Sequence, residues 1–163
     1  MGLLVRLLDA ADVDAYRALR LAGLRAHPHA FGADADDEAG WPMSDWLARL
    51  QQRSTFGAFI DGTLVGTAAL AVEAGRKSRH RGHLVGMYVA PEGRRLGVGR
   101  ALVEAVLAAA RGQVELVLLT VSIGNAPAIA LYDACGFRPY AIEPDALRID
   151  GQVVDELRMQ RRP

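Results

Sequence analysis

Between residues 83 and 111 a mostly apolar run, a basic glycine-rich turn and a helical pattern follow one another directly, and this succession constrains the chain more than any other feature. Residues 83–90 are apolar on both faces and stop at Pro91, as expected of a central strand ended by a residue with no amide donor. The turn reads Val89-Ala90-Pro91-Glu92-Gly93-Arg94-Arg95-Leu96-Gly97-Val98-Gly99-Arg100-Ala101-Leu102. Over residues 97–111 the spacing predicts a helix with Leu102, Val103, Val106, Leu107 and Ala110 on one face and Gly112 as its stop. The first amides of a helix have no partner within it, and with the helix dipole they make an anion site. Glycine lets the backbone approach a phosphate closely. A pyrophosphate suits such a turn.

The rest of the sequence reads as the frame around this segment. Residues 3–8 suit a strand, and Asp12 opens a helix in which Val13, Tyr16, Leu19 and Leu24 recur at helical spacing. Pro28, Gly32 and Gly40 break the pattern over residues 27–41, and Ser44 is expected to cap a second helix to Leu50. Residues 54–60 and 64–72 predict an antiparallel hairpin through Asp61-Gly62. Residues 114–121 predict a second buried strand, and Asn125, with Pro127 in the first turn and Gly136 at the end, bounds a further helix. Residues 138–142 and 153–159 read as closing strands around Asp150-Gly151. This order predicts an α/β (α+β) fold, a mixed, mostly antiparallel sheet of six to seven strands with helices on both faces.

At 163 residues, 51% hydrophobic and 23% charged, the chain is expected to form a single domain over 1–163. A net charge of zero gives no basic excess for a nucleic-acid partner. Cys135, the one cysteine, excludes an intrachain disulfide and a thiolate zinc cluster, fits a reducing compartment, and leaves no metal expected. No signal-peptide run or stretch of eighteen apolar residues is present, so the expectation is a cytoplasmic protein without a membrane partner.

Three nucleotide-binding readings compete for the turn. A P-loop needs Gly-Lys-Ser or Gly-Lys-Thr where Gly99-Arg100-Ala101 stands. A dinucleotide fingerprint needs a third glycine or alanine where Leu102 stands, after a strand that opens a βαβ unit. The third pattern, Arg or Gln, two residues, Gly, one residue, Gly or Ala, is met by Arg94-Arg95-Leu96-Gly97-Val98-Gly99. It resembles the acyl-CoA site of the GNAT superfamily of N-acetyltransferases. The strand Leu84-Val85-Gly86-Met87-Tyr88-Val89 resembles that family's fourth strand, and Asn125-Ala126-Pro127-Ala128-Ile129-Ala130-Leu131-Tyr132-Asp133-Ala134-Cys135-Gly136-Phe137 resembles its Asn…Ala…Leu-Tyr…Gly-Phe block. The resemblance extends over most of the chain.

The resemblance implies acetyl-CoA as co-substrate and an amine, small-molecule or peptide, as acceptor, attacked directly in a ternary complex. Met87, Tyr88 and Val89 would bind the pantetheine arm through their backbone, with an amide near Val89 polarising the thioester carbonyl. Arg94, Arg95, Leu96, Gly97, Val98, Gly99 and Arg100 would cradle the pyrophosphate; a solvated basic turn is the plain alternative. Tyr132 would donate to the departing thiolate, or be a core aromatic. Asn125 would contact the cofactor, or serve only as an N-cap.

An acceptor amine also needs a proton acceptor, since a lysine-like amine is neutral about once in a few thousand molecules at pH 7. His83 is the leading candidate: four residues before Met87 on one strand, it should share Met87's face by period-2 alternation. His80, Glu38 and water are the others. Asp34, Asp36, Asp37 and Glu38 form an acidic loop, either solvated or attractive to a cationic amine, and Arg76, Lys77, Arg79 and Arg81 surround a turn that is solvated or faces an acidic acceptor. A non-catalytic acetyl-CoA sensor or scaffold and a longer-chain acyltransferase are the rival functions. An edge strand near the C-terminus would support a homodimer.

Overall fold

Asp61 and Gly62 both take positive φ, 48° and 81°, the geometry of a two-residue hairpin turn. They join β2 (Ser54–Ile60) to β3 (Thr63–Val72) in antiparallel register, as the dipeptide predicts. In the computed structural model, which describes residues 2–163, this hairpin is part of one seven-stranded sheet. The other strands are β1 (Leu3–Leu7), β4 (Arg81–Val89), β5 (Leu116–Ser122), β6 (Arg138–Ile149) and β7 (Gln152–Arg161). Their spatial order is β1-β2-β3-β4-β5-β7-β6, and β4 with β5 is the parallel pair.

The helices divide between the two faces. On one lie α4 (Val98–Ala110) and α5 (Ala126–Ala134), which cover a core containing Leu70, Leu84, Leu102, Val106, Val117, Tyr132, Phe137 and Met159. On the other lie α1 (Val13–Ala26) and α3 (Met43–Gln52), where Tyr16, Leu21, Trp46 and Leu50 form a second cluster. Trp46 and Phe137 are both fully buried, one in each layer. Removing their area from water is the main drive for docking each helical layer.

Two expectations for the stretch before β2 are corrected. Ser44 does not cap the second helix: α3 begins at Met43, with Pro42 at the N-cap and no side-chain cap, so Ser44 lies in its first turn. The segment 27–41 is not all loop, because Asp34 accepts the amides of Asp36 and Asp37 and nucleates a short helix, α2 (Ala35–Ala39). The closing hairpin is longer than its apolar runs suggested. β6 and β7 carry their pairing out to Ile149 and Gln152, where Asp150 and Gly151 turn with positive φ.

Candidate active site

The strands β4 and β5 pair over three positions only, Arg81 with Leu116, Gly82 with Val117 and His83 with Leu118. Beyond them β4 stays with β3 and β5 with β7, so the facing edges diverge. The bend coincides with a bulge. Val85 opposes Ala69 and Tyr88 opposes Thr67, which leaves Gly86 and Met87 against Ala68 alone. Gly86 takes φ 64°, a conformation that favours glycine, and Thr67 donates its hydroxyl to the Gly86 carbonyl at 3.2 Å.

The bulge overturns the expectation that His83 and Met87 share a face. His83, Val85 and Tyr88 oppose Ala71, Ala69 and Thr67, alternate residues of one β3 face, so Tyr88 takes the face of His83. That face meets α1, where the Tyr88 ring lies under Gly23 and near His27 and Phe31. Met87 and Val89 pack instead against the α4 core. The inserted residue has reversed the alternation that the sequence implied.

Backbone polarity along the open edge follows from the register. The Ala90 amide donates to Val65 on β3 at 2.8 Å, so the Val89 amide, one residue earlier, points toward the divergence. The Val89 carbonyl accepts from Arg94 Nε at 3.3 Å. Downstream, the Arg94 amide donates to Pro91 and the Ala101 amide to Gly97. Between these, the amides of residues 95–100 find no acceptor among the described residues. Arg95 and Gly97 take φ of 61° and 76°, folding the turn over the start of α4, while Val98, 1% exposed, anchors that start in the core. Thirteen residues of helix stand behind this N-terminus.

The basic side chains of the turn are deployed unevenly. Arg94 reaches His27 Nε2 at 3.0 Å, tying the turn to the end of α1. Arg100 pairs with Glu104 one helical turn on, and Arg95 and Leu96 are exposed. The backbone of this segment, more than its guanidinium groups, is shaped to receive an anion.

Tyr132 and Asn125 enter from α5. Asn125 Oδ1 accepts the Ala128 amide at 3.3 Å and caps the helix, while the residue also borders the space between the strands. Tyr132 is 6% exposed and meets Phe137 edge-on. Burial, with Cys135 adding to it, holds the Tyr132 phenol well above its ordinary pKa, so it is a neutral hydroxyl donor at physiological pH. A cavity of about 350 Å³ runs through the divergence, and Met87, Tyr132, Asn125 and His83 all border it. Four of the site residues expected from the sequence therefore meet at one opening in the sheet, while Tyr88, Val89 and residues 94–100 do not border this cavity.

The candidate proton acceptors fare differently. His83 donates from Nε2 to Glu73 at 2.7 Å, and this bond, with help from Ser78 and Arg81, holds the Glu73 carboxyl below its usual range. His80 is exposed and does not border the cavity, while its carbonyl accepts the amides of Glu115 and Leu116. Glu38 is corrected outright. It is 3% exposed and bound by Arg20 at 3.0 Å and Arg49 at 2.8 Å. Burial pushes its pKa up, the two guanidinium groups outweigh that, and it stays ionised as a structural anion. Asp34, Asp36 and Asp37 remain exposed on α2.

Sequence reasoning missed Arg20, Phe31, Glu156 and Arg158, which border the same cavity. For the last two a signal existed: Glu156 and Arg158 alternate with Leu157 and Met159 along β7, which puts both polar side chains on one face.

Comparison with known proteins agrees with this geometry. The Acetyltransferase (GNAT) family pattern matches residues 18–137. A mycothiol acetyltransferase from Acidothermus cellulolyticus is 34% identical over 151 residues, covering 82% of this chain and 43% of that protein. An N-alpha-acetyltransferase from Sulfurisphaera tokodaii is 36% identical over 92 residues, covering 51% of this chain and 55% of that protein. The chain thus spans about half the length of these curated relatives. Among solved structures, a GNAT-family acetyltransferase from Streptococcus pneumoniae superposes with a TM-score of 0.88 over 99% of this chain and 100% of that one, at 22% identity. The yncA protein from Salmonella typhimurium, solved with its cofactor acetyl-CoA, gives 0.81 over 99% and 94%, also at 22% identity. The two structures share the fold. With a family pattern that covers most of the chain, a diverging β4–β5 pair and an amide-lined turn at the start of α4, the protein belongs to the acetyltransferase (GNAT) family.

Proposed function

We propose that this chain is an N-acetyltransferase that moves the acetyl group of acetyl-CoA to a primary amine by direct attack in a ternary complex. The observation that carries the reading is the pairing of two unsatisfied backbone surfaces: the open edge of β4, with the Val89 amide on it, and the amides of residues 95–100. The second surface fits a pyrophosphate and the first an extended amide-bearing arm laid along it as an added strand. Met87, Tyr88 and Val89 would hold the arm, residues 94–100 the diphosphate, and Asn125 the far wall.

In this reading the Val89 amide donates to the carbonyl oxygen as it gains charge, a contribution of a few kcal/mol when the donor is fixed in advance. Tyr132 donates a hydrogen bond to the sulfur as the C–S bond weakens. Full transfer from a phenol to a thiolate is uphill by about 2 kcal/mol even at ordinary pKa values, and burial of Tyr132 makes it steeper. The hydroxyl therefore stabilises the leaving group while solvent supplies the proton. His83, the leading proton-acceptor candidate of the sequence, borders the cavity on the α1 side, but its Nε2 is committed to Glu73.

Titration calorimetry with coenzyme A, followed by a turnover screen with acetyl-CoA, tests the proposal. Small-molecule and peptide amines belong together in the screen, because the relatives are named for mycothiol and for N-alpha acetylation. Binding of coenzyme A with transfer to at least one amine is expected; no heat with coenzyme A, or binding without transfer to any amine, would remove it.

A further inference from the structure

The acceptor side of the cavity holds a carboxylate, Glu156, with no direct ion-pair partner among the described residues. Glu156 lies on β7 opposite Ser122, and the Ser122 hydroxyl donates to the His29 carbonyl at 2.6 Å, so this face of β7 looks toward the segment that follows α1. Glu143 on β6 opposes Glu156 across the hairpin, but Glu143 is occupied by Arg158, which reaches it through two nitrogens. Arg20, the cation on the facing helix, is occupied by Glu38. Glu156 itself takes no ion pair or side-chain hydrogen bond among the described residues, and it borders the same cavity as Tyr132, Met87 and His83.

We infer that Glu156 holds the acceptor amine and receives the proton released as the C–N bond forms, a role that rests on the transferase reading above. The chemistry balances without a further reactant. The neutral amine nitrogen bonds to the acetyl carbon, one N–H proton passes to a Glu156 oxygen, the C–S bond breaks, and the thiolate, hydrogen-bonded by Tyr132, takes a proton from solvent. Glu156 then returns its proton to water. Two features suit the carboxylate to this task better than His83. It is unpartnered, whereas His83 is already bonded to Glu73. Its carboxyl also sits above the ordinary range, raised first by burial and then by Glu143, with Arg158 opposing, so it takes a proton more readily than a solvated glutamate. The acceptors selected are amines able to reach a half-buried anion past Phe31 and Arg20.

The test compares wild type with E156Q and H83Q, using the best amine from the screen at saturating acetyl-CoA. The charged or titratable groups around Glu156 are Glu143, Arg158, Arg20, His83 and the Tyr132 hydroxyl, so the pH dependence must be read in all three proteins. In wild type, kcat/KM for the amine should rise at acid pH with the loss of two protons, one from the ammonium and one from Glu156. E156Q should keep its coenzyme A affinity within about twofold, lose about 100-fold or more in kcat/KM, and rise with the loss of one proton only. H83Q should retain the two-proton limb, and E156D should restore part of the rate. A one-proton limb in wild type, a two-proton limb surviving in E156Q, or an E156Q rate within threefold of wild type overturns the assignment while leaving the transferase intact. If E156Q fails to bind coenzyme A, the wild-type and H83Q profiles decide alone: a two-proton limb lost in H83Q overturns it, and one retained supports it. Wild type that binds coenzyme A yet acetylates no amine ends both readings.

Discussion

Tyr132 is a side chain whose packing and whose proposed hydrogen bond to the leaving group can be separated by one oxygen. Its ring is wedged against Phe137 in the α4 layer, and its hydroxyl has no hydrogen-bond partner among the described residues. Tyr132→Phe should therefore leave the denaturation midpoint and coenzyme A affinity almost unchanged while kcat falls about 10- to 100-fold, the range for losing one positioned donor. Steady-state kinetics beside calorimetry would check it, and an equal loss of stability would reassign the residue to the core. Gly97 makes the reverse test. A methyl there would meet nothing within 4 Å, yet φ is 76°, so Gly97→Ala carries backbone strain without a clash. The expected cost is about 1 kcal/mol in urea unfolding, together with weaker coenzyme A binding if the turn relaxes. The turn that places Gly97 in a left-handed conformation before α4 was legible because its motif is local. Gly86 was not read as a bulge, because an isolated glycine in an apolar run looks like an ordinary strand residue until its partners on the next strand are known.

Individual elements were readable to the extent that their signals lie within a few residues. The Asp61-Gly62 hairpin, the α4 stripe and the Asn125 cap were all visible, since turn chemistry, helical period and capping are properties of short segments. The short helix α2 was hidden by four acidic residues, whose reading as an acidic loop masked the cap made by Asp34. Backbone binding along β4 was expected only through resemblance to a family, and the divergence of β4 from β5 that opens this edge was not read, because where two strands stop pairing depends on residues distant in sequence. The bulge connects these scales: it bends β4 and sends Tyr88 to α1. Gly86→Val places a β-branched residue at φ 64°, which should cost about 2 kcal/mol or more of stability. If the bulge is then ironed out, Met87 replaces Tyr88 on the α1 face and the open edge changes polarity, so coenzyme A affinity should fall at least tenfold. Calorimetry on folded Gly86→Val decides: full affinity would show that the divergence does not depend on the bulge.

At the scale of the whole molecule, the helical layer of α1, α2 and α3 is held by one buried anion. Glu38 on α2 binds Arg20 of α1 and Arg49 of α3, and Arg49 also lies over the Trp41 ring, 4.2 Å from its centroid. Three helices thus share a charge cluster in which both arginine side chains are about one-eighth exposed. Removing the anion leaves two guanidinium groups facing each other in poor contact with water, so Glu38→Gln should cost about 3 kcal/mol at neutral pH. The pH dependence has a definite sign. Glu38 has a folded-state pKa below its ordinary value of 4.5, so its contribution is fully present above that value and is lost as pH falls through the folded-state pKa. Glu156, with its raised pKa, works in the opposite sense, which is why wild type alone is a poor reporter. The difference in unfolding free energy between wild type and Glu38→Gln isolates the cluster: it should be flat from pH 8 to about 5 and shrink steadily below 4.5. A difference that stays constant down to pH 3 would mean that Glu38 contributes through shape and hydrogen bonding alone, and that charge does not hold α1, α2 and α3 together.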